Sequence, residues 1–269
     1  MPSPAVKRIL FGLTPSPQAA AFLSRTSGLD TKHRNAYIKL INGLVTDGLW
    51  DKIDALWILA TADATTAGLN LKNTSFTLSL TNSPTFTVDQ GYTGNGTNQT
   101  ISTGFAPASS GTAFSQNSAS ISAYVRNSRT SSNSSNIMGC APASGSTAFF
   151  MAPLQTSAFG WTLNGTTFPS SANTDAQGFW TISRTASNNQ PAYKNGLPFA
   201  SNSGASGVLT NMTNAVRLLS NSTSGGVGAS FSSDQLSAAH IGGAFNDVDV
   251  FNYSTRVNAF MTSIGANIY

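Results

Sequence analysis

Residues 179–199 read FWTISRTASNNQPAYKNGLPF. Trp180, Ile182 and Arg184 alternate with Thr181 and Ser183, the period-two pattern of a strand with one face buried. Further on, Tyr193-Lys194-Asn195-Gly196-Leu197 sets Asn-Gly between two residues able to pack. A two-residue hairpin turn needs positive φ at both central positions, and Asn-Gly adopts it with least strain, so a hairpin is expected at 195–196. The centre of the chain is therefore read as β.

The same alternation extends outward. Phe76, Leu78 and Leu80 alternate with Thr and Ser, and Phe86–Val88, Ile101–Phe105 and Ser120–Arg126 follow. Gly91–Gly96 reads as a loop and 127–136 as another. Ile137–Cys140, Ala148–Met151 and Ala158–Leu163 read as successive strands, with Asn164-Gly165 as a second hairpin turn. Ala215–Leu219 and a glycine-rich loop at Gly225–Gly228 come after the central hairpin. Short strands at this spacing, separated by turn residues, predict a mainly β fold, a two-sheet antiparallel β-sandwich rather than βαβ units.

Helices are expected at both flanks. Asp30 or Thr31 can cap a helix running to Gly48, with Tyr37, Ile38, Ile41, Leu44 and Val45 on one face. Ile53, Leu56, Trp57 and Leu59 carry the apolar content onward into a buried segment. Near the C-terminus Asn246 can cap, Asp247 and Asp249 suit the positive end of a helix dipole, and Gly265 can terminate. Val250, Tyr253, Val257, Phe260 and Ile264 fall on one face of that helix. Prolines at 2, 4, 15 and 17 surround Ile9-Leu10-Phe11 and favour extended chain, leaving room for a helical turn near Gln18–Ser24. The expected division is an extended attachment arm over 1–29 and a helix-flanked sandwich over 30–269.

Composition restricts the chemistry. Hydrophobic residues make up 40% of the 269, enough for a core, while charged residues are only 9% against a usual level of roughly a quarter. Ser, Thr, Asn and Gly supply the polarity, and these favour strands and turns over helix interiors. All ten acidic residues are Asp. The net charge of +4 comes from residues 1–45, where six bases face one Asp; the remainder has eight bases and nine Asp. Six dispersed bases make no nucleic-acid motif, so no specific nucleic-acid partner is expected. The single Cys140 rules out an intrachain disulfide and reads as a small core residue. Met1-Pro2-Ser3-Pro4 lacks the features of an export signal, and no run of about eighteen apolar residues suggests membrane insertion.

Two further runs carry a resemblance. Asp51–Leu71, DKIDALWILATADATTAGLNL, leads into SPTFTVDQGYTGNGTNQTISTGF, and 239–265 contains HIGGAFNDVDVFNYSTRVNAFMTSIG. With the central hairpin, and over roughly 30–265, these resemble tailed-phage and prophage structural proteins that have a concanavalin-like (laminin-G-like) jelly-roll domain. The resemblance implies a virion component, such as a tail, fibre, appendage or capsid-surface decoration. It would be made in the host cytoplasm, released by lysis, and held by other virion proteins and further copies of itself. Arg8, Ile9, Leu10, Phe11 and Phe22 are the expected attachment residues. The alternative is a lectin-like receptor-binding module for host surface polysaccharide, with Tyr92, Trp161 and Tyr193 near loops as candidate sugar-stacking rings.

An enzyme is not expected. No nucleophile-elbow serine motif and no phosphate-cradling glycine-lysine loop occurs, and His33 and His240 stand outside any metal or base cluster. Concanavalin-like glucanases use paired Glu, which this chain lacks. Asp247/Asp249 and Asp51/Asp54 fit helix starts and exposed faces better than acid–base work. Scattered carboxylates make a calcium site doubtful, so no metal or other cofactor is called for.

Overall fold

Residues 13–269 are described by a computed structural model. In chain order they form helices α1 (Pro17–Leu23) and α2 (Thr31–Thr46), strand β1 (Ile53–Ile58) and the short helix α3 (Ala64–Ala67). Then come β2 (Ser79–Thr81), β3 (Thr85–Thr87), β4 (Gly91–Thr93), β5 (Thr100–Ser102), β6 (Ala119–Val125) and β7 (Met138–Cys140). Next are β8 (Ala148–Gln155), β9 (Ala158–Gly165), β10 (Ser170–Ala172), β11 (Gly178–Arg184), β12 (Gln190–Lys194) and β13 (Leu197–Asn202). The last are β14 (Arg217–Leu218), β15 (Asn221–Ser222), β16 (Gly228–Ala229), β17 (Gln235–Gly242) and helix α4 (Asp247–Ile264).

The strands build two antiparallel sheets. The first runs β13-β12-β11-β6-β17-β4-β3, with β1 pairing β17 along the edge that β4 also uses. The second runs β10-β9-β8-β7-β14-β5-β2, and β15–β16 is a small separate hairpin. The sheets face each other across a core that includes Ile121, Phe149, Trp161, Trp180 and Ile241. Trp180 of the first sheet stacks on Phe159 of the second at 4.3 Å and 10°. The β-sandwich expected from strand spacing is the fold observed.

The central strands of the first sheet are buried on both faces, which differs from the half-buried reading of β11. Every residue of β6 and β11 is buried. Trp180 and Ile182 face the second sheet, while Phe179 joins the cluster under α1, α2 and α4. The intervening hydroxyls stay dry because they satisfy one another. Ser122 and Thr181 hydroxyls lie 2.9 Å apart, Ser183 donates to the Phe245 carbonyl (2.7 Å), and Ser120 donates to the Gly243 carbonyl (2.6 Å). His240 sits among them, with Nδ1 3.3 Å from Ser122 Oγ and its ring stacked on Phe245 at 4.9 Å. Alternating Ser and Thr therefore mark a face covered by helix, not by water.

The helices end where their capping residues place them. Asp30 accepts from the His33 amide to start α2, Asn246 and Asp249 form a capping box on α4, and Gly265 closes α4 at φ 80°. Buried His33 bridges two carboxylates, with Nδ1 2.8 Å from Asp30 and Nε2 2.6 Å from Asp89. Asp54 is buried rather than on an exposed face. Its carboxylate accepts the amides of Thr112, Ala113 and Phe114 at 2.9, 3.0 and 2.7 Å, holding that loop on the sandwich.

Three local readings change. The Asn195-Gly196 turn is as expected, with φ of 55° and 82°. Asn164-Gly165, however, is no hairpin: β9 continues to Gly165 across a register slip against β8, and the β8–β9 turn is Thr156-Ser157, with φ of 51° and 58°. Gly91–Thr93 is strand rather than loop. Its glycine permits this, because a Cβ at Gly91 would stand 2.0 Å from the Leu236 carbonyl oxygen of the neighbouring strand. Lastly, the segment read as an arm contributes α1, whose Phe22 is fully buried 4.7 Å from the Tyr37 ring. Phe22 is thus part of this chain's own core and not an exposed attachment residue. Arg8, Ile9, Leu10 and Phe11 lie outside the described residues.

Phe22→Ala is expected to cost about 3–5 kcal/mol by opening a cavity between α1 and α2, read as a lower urea midpoint at unchanged m-value. An arm merely resting on the domain would show almost no change. His240 generates a pH dependence: burial lowers its pKa from 6.5 to about 3. The unfolded chain binds that proton below pH 6.5 and the folded chain does not, so stability falls as pH drops from 6.5 toward 3. The loss is on the order of 2 kcal/mol by pH 5, and His240→Gln is expected to flatten that part of the melting-temperature profile.

Candidate functional site

Helices cover the outer face of the first sheet, but the outer face of the second sheet carries none among the described residues. Antiparallel partners share a face, so the register defines what that surface presents. Ser79, Ser102, Arg217, Gly139, Phe150 and Thr162 form one row across β2, β5, β14, β7, β8 and β9. The opposite row, with Ile101, Leu218, Met138, Met151 and Trp161, points into the core.

Over β7–β9 this outer face carries a groove of about 350 Å³. Phe150 lies in its floor and stacks on Phe168, ring centroids 5.8 Å apart at 21°, and Phe168 is 65% exposed. Asn136, Gln155 and Asn221 bring side-chain amides to the same groove. The Asn136 and Gln155 amides make no hydrogen bond within the described residues, and Asn221 uses only its oxygen, on the Ser222 amide (2.8 Å). The β15–β16 hairpin forms the far wall, and Gly139 makes room for it: a Cβ there would meet Asn221 Oδ1 at 2.9 Å.

Among the described residues no charged side chain lines the groove, and the one ionisable group there is the Cys140 thiol, buried and pushed up by desolvation. Such a surface offers an apolar ring face beside unspent donors and acceptors. It can hold a neutral, hydroxyl-rich ligand, and it contains no group placed for proton transfer.

Two other grooves lie on the helical side. One of about 440 Å³ runs along α4 to Tyr269, but its polar groups are mostly spent. Asn195 accepts from the Phe179 amide, Asn258 bonds at both ends, and the Thr255 and Thr262 hydroxyls donate to their own helix. The other, about 450 Å³ between α2 and α4, contains an arginine already paired with Asp47, Arg256.

The rings proposed from sequence for sugar stacking are elsewhere. Tyr92, Trp161 and Tyr193 are 2%, 1% and 1% exposed. Tyr92 packs on Phe86, Trp161 lies between the sheets against Phe159, and Tyr193 faces α4, donating to Asp247 at 2.6 Å. None offers a face to a ligand. The missed residues left a trace: Phe149-Phe150 are adjacent in one strand, so one of them must point outward. Phe168 is the lone aromatic in a run of Gly, Thr, Pro and Ser.

No group of three His, Cys or Asp side chains able to share a metal ion occurs among the described residues, and no helix there is long and apolar enough to cross a membrane.

Neither a protein-family model nor a curated protein matches the chain. Solved structures do. A mutant of HCR/D is 12% identical with a TM-score of 0.50, covering 76% of this chain and 52% of its own. A botulinum neurotoxin serotype D binding domain is 11% identical at 0.48, covering 75% and 52%. Domain 4 of an extracellular arabinanase from Geobacillus stearothermophilus, solved with arabinotriose, is 11% identical at 0.48, covering 76% and 98%. The chain spans about half the length of the first two. At this identity the likeness is one of fold.

Proposed function

We propose that this chain is a non-catalytic glycan-binding module that presents the outer face of its second sheet to a cell-surface polysaccharide. The observation that carries this reading is half-buried Phe150 stacked on exposed Phe168, set among unspent amides in an uncharged groove. A pyranose ring has an apolar C–H face and an equatorial belt of hydroxyls. The stacked rings suit the first, and Asn136, Gln155 and Asn221 suit the second. Phe150 and Gln155 are held by strand β8 of the sheet below, which limits the entropy lost on binding there.

The test is a glycan array probed with the full chain and with Phe168→Ser. Phe168 is largely solvent-exposed, so its replacement is expected to cost less than about 1 kcal/mol of stability while reducing glycan binding at least tenfold. Undiminished binding by the folded variant would refute the assignment of the groove.

A second reading concerns where the module is carried. We infer from the sequence resemblance that it belongs to a phage particle, held by other virion proteins or by copies of itself on its helical side. Exposed Val248 and Phe251 lie one turn apart on α4, and the turn preceding exposed Leu197 abuts Phe251. These apolar groups are on the layer opposite the groove, which suits an attached side and a free side. Phe251→Asp is expected to lower incorporation into particles without altering glycan binding, scored by immunoblot of purified virions. Particles that never contain the protein would end this reading.

A further inference from the structure

The row that places Phe150 on the outer face also places Arg217 there, two strands away, with Gly139 between them and Asn221 of the β15–β16 hairpin standing over that glycine. At a strand spacing of about 4.8 Å, the two Cα atoms lie roughly 10 Å apart, so an oligosaccharide of several residues that crosses the hairpin reaches both. Arg217 lines a second groove of about 350 Å³ on the far side of the β15–β16 hairpin, with Asn82, Asn98, Thr100 and Phe231 around it. The two grooves thus lie along one face, separated by the hairpin.

Arg217 is oriented but not neutralised. Its Nε and Nη2 both donate to the Gly226 carbonyl, at 3.1 and 2.6 Å, which fixes the guanidinium plane. Nη1 makes no hydrogen bond and no carboxylate pairs with Arg217 among the described residues, whereas the guanidinium of Arg129 meets Asp234 and that of Arg256 meets Asp47. Partial burial lowers the Arg217 pKa by desolvation, so a neighbouring anion would relieve a standing cost. Arginine nonetheless stays charged at neutral pH, and its planar fork matches a carboxylate.

We propose that the groove around Arg217 is an anionic subsite that takes the carboxylate of an acidic sugar residue, such as a uronate, in a glycan that crosses the hairpin and stacks a neutral residue on Phe150 and Phe168. The inference rests on the outer face being the glycan site. It deepens that reading by specifying an acidic polysaccharide.

The experiment is a binding series on the full chain with matched neutral and carboxylate-bearing oligosaccharides, including oligogalacturonates, hyaluronan fragments and sialylated glycans. The best acidic ligand is then carboxyl-reduced to its neutral counterpart. Acidic glycans are expected to bind best, carboxyl reduction to weaken binding at least tenfold, and Arg217→Gln to weaken the acidic ligand by the same factor while leaving the reduced one unchanged. The reduced ligand needs no altered protein, so the test stands even if the variant fails to fold. Preference for neutral glycans, or indifference to carboxyl reduction, would overturn the anionic subsite. If Phe168→Ser still abolished binding in that case, the glycan face itself would survive. No binding to any glycan would overturn both.

Discussion

The structure depends on the central strands of the first sheet being dry on both sides. A strand exposes polar groups on alternate positions, and a face packed under helices must satisfy every one of them internally. Ser120, Ser122, Thr181, Ser183 and His240 do so with one another and with the carbonyls of Gly243 and Phe245. Small hydroxyls also let the helical layer approach closely, so Phe179, Tyr193 and Tyr253 can fill the space between. Because α1, α2 and α4 are committed to that face, the exterior of the second sheet is left to meet the surroundings.

A charge-poor composition then acquires a purpose. With 9% charged residues, the protein relies on Asn, Gln, Ser and Thr for its polar surface. Many of these amides are used in turns and loops: Asn95 accepts three backbone amides of its own loop, and Asn214 donates to the carbonyls of Ala141 and Ser224. In the groove over β7–β9 the amides are instead left free beside two stacked rings. Neutral donors and acceptors cost little to desolvate compared with ions, so such a surface suits ligands rich in hydroxyls, and one unneutralised arginine on the same row adds a place for negative charge.

Much of the architecture was legible in the sequence, and the exceptions have specific physical causes. The Asn-Gly turn, the capped helices and most strand positions follow from local chemistry, since φ preference and capping act within a few residues. The double burial of the first sheet is a tertiary fact: Ser and Thr alternation looks the same under a helix as under water. Gly91 resembles a turn glycine but serves close strand approach, and Gly165 resembles one but makes room for the Thr162 hydroxyl and the Arg184 guanidinium. The candidate site was least legible. Large rings such as Tyr92, Trp161 and Tyr193 draw attention, yet large rings are also what a sandwich core requires. Phe150 differs from Phe149 only by register, and register is set by pairing with β7 and β9 rather than within the strand itself.

Hydroxyl-radical footprinting of the chain, free and bound to its best glycan, tests the central claim most directly. Phe168 on the bare sheet and Phe251 on the helical side are both open to solvent, at 65% and 54% exposure, so each reports on its own face. With the glycan on the second sheet, Phe168 is protected and Phe251 is oxidised at the free rate. Protection of Phe251 with Phe168 unchanged would place the ligand on the helical layer and contradict it.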